Sequence, residues 1–356
     1  MEKLKILLLG AAFASDLHVN AYSRIRNMVE IVGISDLDAG RIKSLADRYG
    51  FEEYRVFGDF EDAIKNCDCD LVDICLPSFL HCAAALQALN RGRSVICEKP
   101  LATTVEDARK MVDCARENGR HIYYGEDWLF APAVTKAREL IREGGIGELQ
   151  YTRARECHGG SHSPFAQKIE FCGGGSLIHL GIHPTGLVLA FGGSEWAQAV
   201  AMTSSGGAKN MRHKEMEGED WGAGLIKFAD GTAALVEGNY LTCGGMENTI
   251  DFYGTAGCLH VDLTFSSALS CFSIGGLSYT VEKAEITTGW SRPVVDEKYS
   301  LGHPAEMRHF VERALQNRPA DIGVRGEDGL ETLKLMDCFY RSAREGIAVP
   351  NPDMAV

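Results

Sequence analysis

Five apolar runs, each followed by a stretch of helical spacing, fill the first third of the chain and leave it few ways to fold. "KILLLG" leads into "HVNAYSRIRNM", and "VEIVGISD" leads into "AGRIKSLADRYG", which Gly50 closes as a helix cap. "CDLVDICLP", "SVICEKP" and "HIYYGE" are the later runs, separated by "FLHCAAALQALNRG" and "TVEDARKMVDCARENG". Strands joined by helices of this length require right-handed crossovers. The expectation is therefore an α/β fold with a doubly wound parallel sheet over residues 1–125.

From Leu149 the pattern changes. "LQYTRARE", "EWAQAVAMTSS", "WGAGLIKFAD", "GTAALVEGNYL", "ENTIDFYGTAG" and "GCLHVDLT" are strand-like and joined by short turns, with "FADGTA" a hairpin signal. Helical spacing returns at "PAEMRHFVERALQN" and "GEDGLETLKLMDCFYRSAREG". A chain of 356 residues accommodates two domains. The second, 126–356, is expected to be α+β with a large, mainly antiparallel open sheet.

The first twenty residues allow two readings. Lysines, an apolar run and "AFAS" resemble a secretory signal, and the same letters make a buried first strand and a turn. The twelve cysteines are scattered, and several, such as Cys75 and Cys97, lie inside apolar runs, as in a reducing compartment. The strand reading and a cytoplasmic location are expected. No apolar run reaches the length of a membrane span. The net charge of −13 without a basic stripe argues against nucleic acid or anionic membranes as partners.

Gly10, Ala12 and Ser15, with Phe13 and Ala14 between, occupy the small positions of a G-x-G-x-x-G turn between strand and helix. Such a turn lets backbone approach a pyrophosphate. Asp36 ends the next strand, where a carboxylate accepts from ribose hydroxyls and repels a 2′-phosphate, so NAD is expected over NADP. The alternative for Asp36 is an N-cap for the helix from Ala39. Arg41 nearby leaves NADP open.

The stretch "DICLPSFLHCAAALQALNRGRSVICEKPLATTVEDA" resembles the Gfo/Idh/MocA oxidoreductases, the glucose-fructose oxidoreductase and inositol dehydrogenase family. Pro77 and His81 match its strand-Pro-x-x-x-His segment, and Glu98, Lys99 and Pro100 match its Glu-Lys-Pro motif. His18, Ala21 and Tyr22 match its first helix. "GEDWLFAPAVTKARELI" resembles the crossing segment, here 126–145, with Leu129 where an arginine is common. "GGGSLIHLGIHPTGLVLAFGG" resembles its D-x-G-x-H-x-x-D signature. The resemblance implies an NAD-dependent dehydrogenase of a sugar, inositol or glycoside. Leu76, Pro77, His81, Glu98, Lys99 and Trp128 join the turn in holding the cofactor. Lys99 and His183 handle the hydroxyl proton, and partial burial would bring the lysine pKa down into a useful range. The family also implies a cis-like turn at Lys99-Pro100 and a homodimer or homotetramer through the open sheet. Trp290, in "GWSRP", could pack over a sugar ring or serve as a core or interface residue.

The departures are His179 and Gly186, where the signature has aspartates. In exchange the chain offers Glu156, His158, His162, His179 and His183, expected as a hydrogen-bonding wall for sugar hydroxyls. His179 and His183, four apart, would share a helix face. The alternative is a divalent metal on Glu156, His158, His179 and His183. Two rival functions remain: an NAD-dependent glycosidase that oxidises its substrate transiently, and a non-catalytic NAD- or sugar-binding regulator. His303, Glu306 and His309 read as the polar face of a helix.

Overall fold

The computed structural model describes residues 3–354 except 162, 194, 265 and 266. The chain forms two compact units, Met1–Asp127 with His303–Leu333, and Trp128–Gly302 with Lys334–Val356. The expected boundary at 125/126 lies two residues from the first change of unit. The return of His303–Leu333 to the first unit is not part of the two-stretch expectation.

In the first unit six parallel strands run in the order β3-β2-β1-β4-β5-β6: β1 Leu4–Leu9, β2 Val29–Ser35, β3 Arg55–Phe57, β4 Leu71–Ile74, β5 Ser94–Cys97 and β6 Ile122–Tyr124. β1, β4 and β5 are covered on both faces, which is why they read as continuous apolar runs. The crossovers use α1 Phe13–Ser23, α2 Ala39–Tyr49, α3 Phe60–Asn66, α4 His81–Leu89 and α5 Val105–Glu117. Asp38 caps α2 by accepting from the Gly40 amide at 2.8 Å, and Gly50 ends it in the left-handed region. The short edge strand β3 and α3 escape the sequence reading, because three residues carry too little periodicity. The strand order reverses between β1 and β4, the place where open α/β sheets bind ligands.

The second unit is built on seven strands. β7 Leu149–Cys157, β8 Trp196–Thr203, β9 Trp221–Phe228, β10 Ala233–Asn239, β11 Glu247–Gly254 and β12 Cys258–Asp262 join Val349–Pro350 in the order β12-β11-β7-β10-β9-β8-(349–350). Only β7 and β10 pair in parallel. The helices Ser176–His179 and Ile182–Phe191 cover one face. On the other face Met202 and Leu225 stand 69% and 52% exposed. A two-stranded arm pairs Cys271–Ser273 with Gly289–Ser291 and carries Trp290, 76% exposed. Among the described residues no single helix is long and apolar enough to cross a membrane; one pair bent by 56°, Ile169–His179 and Ile182–Phe191, reaches that length and composition. Residues 182–188 of that pair are buried.

Candidate active site

The β1–α1 turn needs glycine at its first position and merely small residues at the others. Gly10 has φ +96°, and a Cβ there would stand 2.5 Å from the Cys75 carbonyl oxygen at the end of β4. The buried Ser15 hydroxyl donates to Gly10 O at 2.8 Å and ties the first turn of α1 back to the loop. No described side chain caps α1 at Ala12, and a helix N-terminus favours an anion. Phe13 is exposed on this turn. Asp36 is not the cap of α2, a role that Asp38 fills. Its carboxylate accepts from Ala11 N at 2.8 Å and from Asp38 N at 2.8 Å. Each carboxylate oxygen retains a lone pair for a ribose hydroxyl. Arg41 lies beside Asp38 at 3.6 Å. This donor set fits a dinucleotide whose pyrophosphate lies on the turn.

The loops after β4 and β5 meet through His81. Its Nδ1 faces Pro100 O at 2.9 Å and its Nε2 faces Leu76 O at 2.8 Å, so the buried ring staples Leu76–Pro77 to the Lys99–Pro100 turn. The Lys99–Pro100 bond is cis. Lys99 is half-buried, and its amide donates to Glu98 Oε2 at 3.1 Å.

Beneath Lys99 lies a charged cluster that the sequence does not reveal. His18 Nδ1 is 3.0 Å from both Asp73 oxygens, and Nε2 is 2.9 Å from Glu98 Oε1. Tyr22, one turn on from His18, donates to Asp73 Oδ2 at 2.7 Å. Burial would raise Glu98, but the His18 hydrogen bond and the charges of His18, Lys99 and His303 hold it down at about 2. Around this core stand Glu126, Asp127, His303 and Glu306, all buried. Glu306 Oε1 accepts from Glu126 N at 2.6 Å, and His303 Nε2 is 3.4 Å from Asp127 Oδ2. "GHPAEMRHF" therefore buries His303 and Glu306 rather than presenting an ordinary polar face. Burial pushes Asp127 up to about 6 and Glu306 up to about 8.

The Glu306 shift has a testable sign. Between its ordinary 4.5 and about 8 the unfolded chain is ionised while the folded one keeps the proton, so stability falls as pH rises through this window. Glu306→Gln keeps the acceptor for Glu126 N and removes the titration. Its stability margin over the native chain should grow from pH 5 to pH 8 by at most about 1.4 kcal/mol per pH unit. Thermal unfolding at pH 5, 6.5 and 8 measures it, and a margin that stays constant or shrinks with pH refutes the assignment.

In the second unit the candidate polar residues gather at the ends of β7 and β10. Glu156 lies at the end of β7, His158 follows it, and Tyr240 follows β10. His179 and His183 do not share one helix face. The chain breaks at Leu180–Gly181, so His179 ends one helix and His183 lies in the first turn of the next. The break rests directly on β10 because Gly238 lacks a side chain; a Cβ there would stand 2.6 Å from Ser176 O and Gly181 N. The buried Tyr240 is the hub, and sequence reading missed it. Burial holds its phenol well above 10, and the protonated hydroxyl is hydrogen-bonded to His179 Nδ1. The His158 ring stacks on Tyr240 at 5.5 Å, and its Nδ1 accepts from Gly160 N at 3.1 Å. His213, also missed, packs edge-on at 5.8 Å and donates from Nε2 to Tyr240 O at 2.9 Å. His183 Nε2 is 3.9 Å from Glu156 Oε2, and its ring lies parallel to Trp128 at 5.7 Å. Trp128, assigned above to the cofactor, is buried here against His183. No three of Glu156, His158, His179 and His183 bring ligand atoms within 4.8 Å of one another, which disfavours a metal on this set. His162 lies outside the described residues. Trp290 is on the exposed arm, edge-on to Phe272 at 5.6 Å.

Comparison with known proteins agrees with both units. Residues 4–126 match the model of the oxidoreductase family with an NAD-binding Rossmann fold, and residues 134–260 match the GFO/IDH/MocA C-terminal domain. D-glucoside 3-dehydrogenase of Escherichia coli K12 is 28% identical over 97% of this chain and 97% of its own length. The structure of GenD2 from gentamicin A biosynthesis, in complex with NAD, superposes with a TM-score of 0.89 at 25% identity, covering 100% of this chain and 97% of that one. The myo-inositol 2-dehydrogenase structure from Lactobacillus plantarum shares the fold, with a TM-score of 0.83 at 20% identity over 98% and 100% of the two chains.

Proposed function

The chain belongs to the Gfo/Idh/MocA family of NAD-binding oxidoreductases, and from that membership we propose that it oxidises a ring hydroxyl of a sugar, cyclitol or glycoside. The observation that carries the substrate class is the wall around Tyr240. His158, His179 and Tyr240 form a face of aromatic rings and hydrogen-bonding edges, with histidine instead of a carboxylate at position 179. Such a face matches a polyhydroxylated ring, whose hydroxyls both donate and accept. A relative whose name specifies a D-glucoside supports the same class.

NAD, when bound, supplies the hydride acceptor. The turn amides and Asp36 bind and orient it. Lys99 takes the hydroxyl proton, held by a backbone that Glu98 and His81 fix on either side. His183, backed by Trp128 and facing Glu156, orients the hydroxyl. Incubating the protein with NAD and a panel of hexoses, inositols and methyl or aryl glycosides tests this through NADH absorbance. Sustained NADH formation with a member of the panel is expected. Glycoside cleavage without NADH accumulation, or binding without turnover across the panel, overturns the reading.

Asp36→Ala should weaken NAD binding about tenfold to a hundredfold, the loss of one or two hydrogen bonds to a charged group, and reduce the preference over NADP. Fluorescence titration of both cofactors measures this, and unchanged NAD affinity or tighter NADP binding by the native chain contradicts it. We also propose that the exposed sheet face with Val200, Met202 and Leu225 packs against a second copy, since such a face left open invites aggregation. Light scattering at micromolar concentration should give a dimer or tetramer, and a monomer rejects the proposal.

A further inference from the structure

His18 is more than a buried filler of α1. An ionised carboxylate only accepts hydrogen bonds. Both ring nitrogens of His18 face such oxygens, at 3.0 Å on Asp73 and 2.9 Å on Glu98. Asp73 also accepts from Tyr22, and Glu98 also accepts from the Lys99 amide, so each carboxylate already acts as an acceptor elsewhere. A neutral imidazole donates once; two donations require the imidazolium. The ring is fully buried.

We infer that His18 is a positioning residue of the reaction, a fixed imidazolium that joins Asp73 to Glu98 and thereby holds the Lys99 backbone from beneath. The inference rests on the reading that Lys99 handles the proton. With His18 charged, Glu98 stays ionised and keeps Oε2 on the Lys99 amide. With His18 neutral, Asp73 and Glu98 become two like charges with one proton donor between them, and Glu98 must take up a proton or turn away. Either change loosens the Lys99 side of a loop that His81 holds at Pro100. Burial opposes the charge on His18, but Asp73 and Cys75 outweigh it and keep His18 well above its ordinary 6.5.

The groups facing His18 are Asp73 from β4, Cys75 just after it, Tyr22 from its own helix, Glu98 after β5, and Glu306 from the helix His303–Leu315 packed on α1. Ionisation of Glu306 near pH 8 adds negative charge and so favours the imidazolium further. The test is ring-¹⁵N histidine NMR of the native protein from pH 6 to 9, which needs neither substrate nor variant. Both His18 nitrogens should remain protonated throughout. In Asp73→Asn one anionic partner is lost, so His18 should release its proton within this range. kcat relative to the native enzyme should then fall about tenfold from pH 6 to 9, the loss of one charge-assisted bond, with KM and NAD affinity within about twofold. Repeating the profile in Glu306→Gln removes that group's own titration. A native His18 with one protonated nitrogen, or one that titrates near 6.5, overturns the inference. So does an Asp73→Asn profile parallel to the native one while Lys99→Met is inactive. Full activity of Lys99→Met, measured alongside, identifies instead a failure of the reading on which the inference stands.

Discussion

Lys99→Met should bind NAD as the native enzyme does and turn over its substrate about 10²–10⁴-fold more slowly, the usual range for a positioned acid–base group. Methionine keeps the length and much of the volume of the lysine stem and removes the amine. The loop should not move, because its fixed points are backbone atoms: the Lys99 amide on Glu98 Oε2 and Pro100 O on His81. The pyrophosphate site is a separate piece of chain, from Gly10 to Ser15, so cofactor affinity is a control. The split between kcat and KM decides the role. If the ammonium merely anchors substrate, KM rises and kcat stays. If the neutral amine takes the proton in the transition state and becomes the ammonium, kcat falls. His183→Ala should give a comparable loss, and the double variant should lose less than the product of the singles if both act on one proton. Full activity in Lys99→Met removes Lys99 from the chemistry even though family membership stands.

Local signals explain what was legible in the sequence. β1, β4 and β5 are buried on both faces, and their continuous apolar runs announce it. Gly50 and the β9–β10 hairpin obey turn chemistry that any sequence displays. β3 was invisible because an edge strand of three residues has no period. The NAD-binding assignment came from a strand-turn-helix of small residues followed by an acid. The site's support did not come through. Asp73 is one polar residue in an apolar strand, and nothing local says that His18 and Tyr22, 55 and 51 residues earlier, meet it. A lone acid at a position that should be core is the one signal available. His303 and Glu306 looked like a solvated helix face because periodicity does not tell which side packs inward; the answer lies in Glu126 and Asp127, nearly 180 residues away. Helical spacing placed His179 and His183 together, but the break over Gly238 separates their helices, a consequence of sheet contact that no window of sequence contains.

Gly10→Ala should abolish useful NAD binding while leaving the fold intact. The first reason is conformational: φ of +96° is outside what alanine adopts without strain. The second is steric. The new Cβ would stand 2.5 Å from Cys75 O and 3.0 Å from its carbonyl carbon, both backbone atoms at the end of a central strand. Cys75 cannot simply yield, since its amide donates to Leu9 O at 2.9 Å and holds β4 against β1. The turn must therefore move. Its amides, with Ala11 N on Asp36 among them, lose their aim. Hydrogen bonds to charged groups contribute about 1.5–3 kcal/mol each, so two misplaced donors weaken NAD about 100-fold or more. The six-residue β1 stays buried between β2 and β4, so far-UV dichroism should match the native protein. Phe13→Ala, on the same turn but exposed, is the control and should change affinity only a few-fold. Calorimetric titration of NAD into the three proteins measures all of this. Native affinity in Gly10→Ala would mean that the cofactor does not lie on this turn.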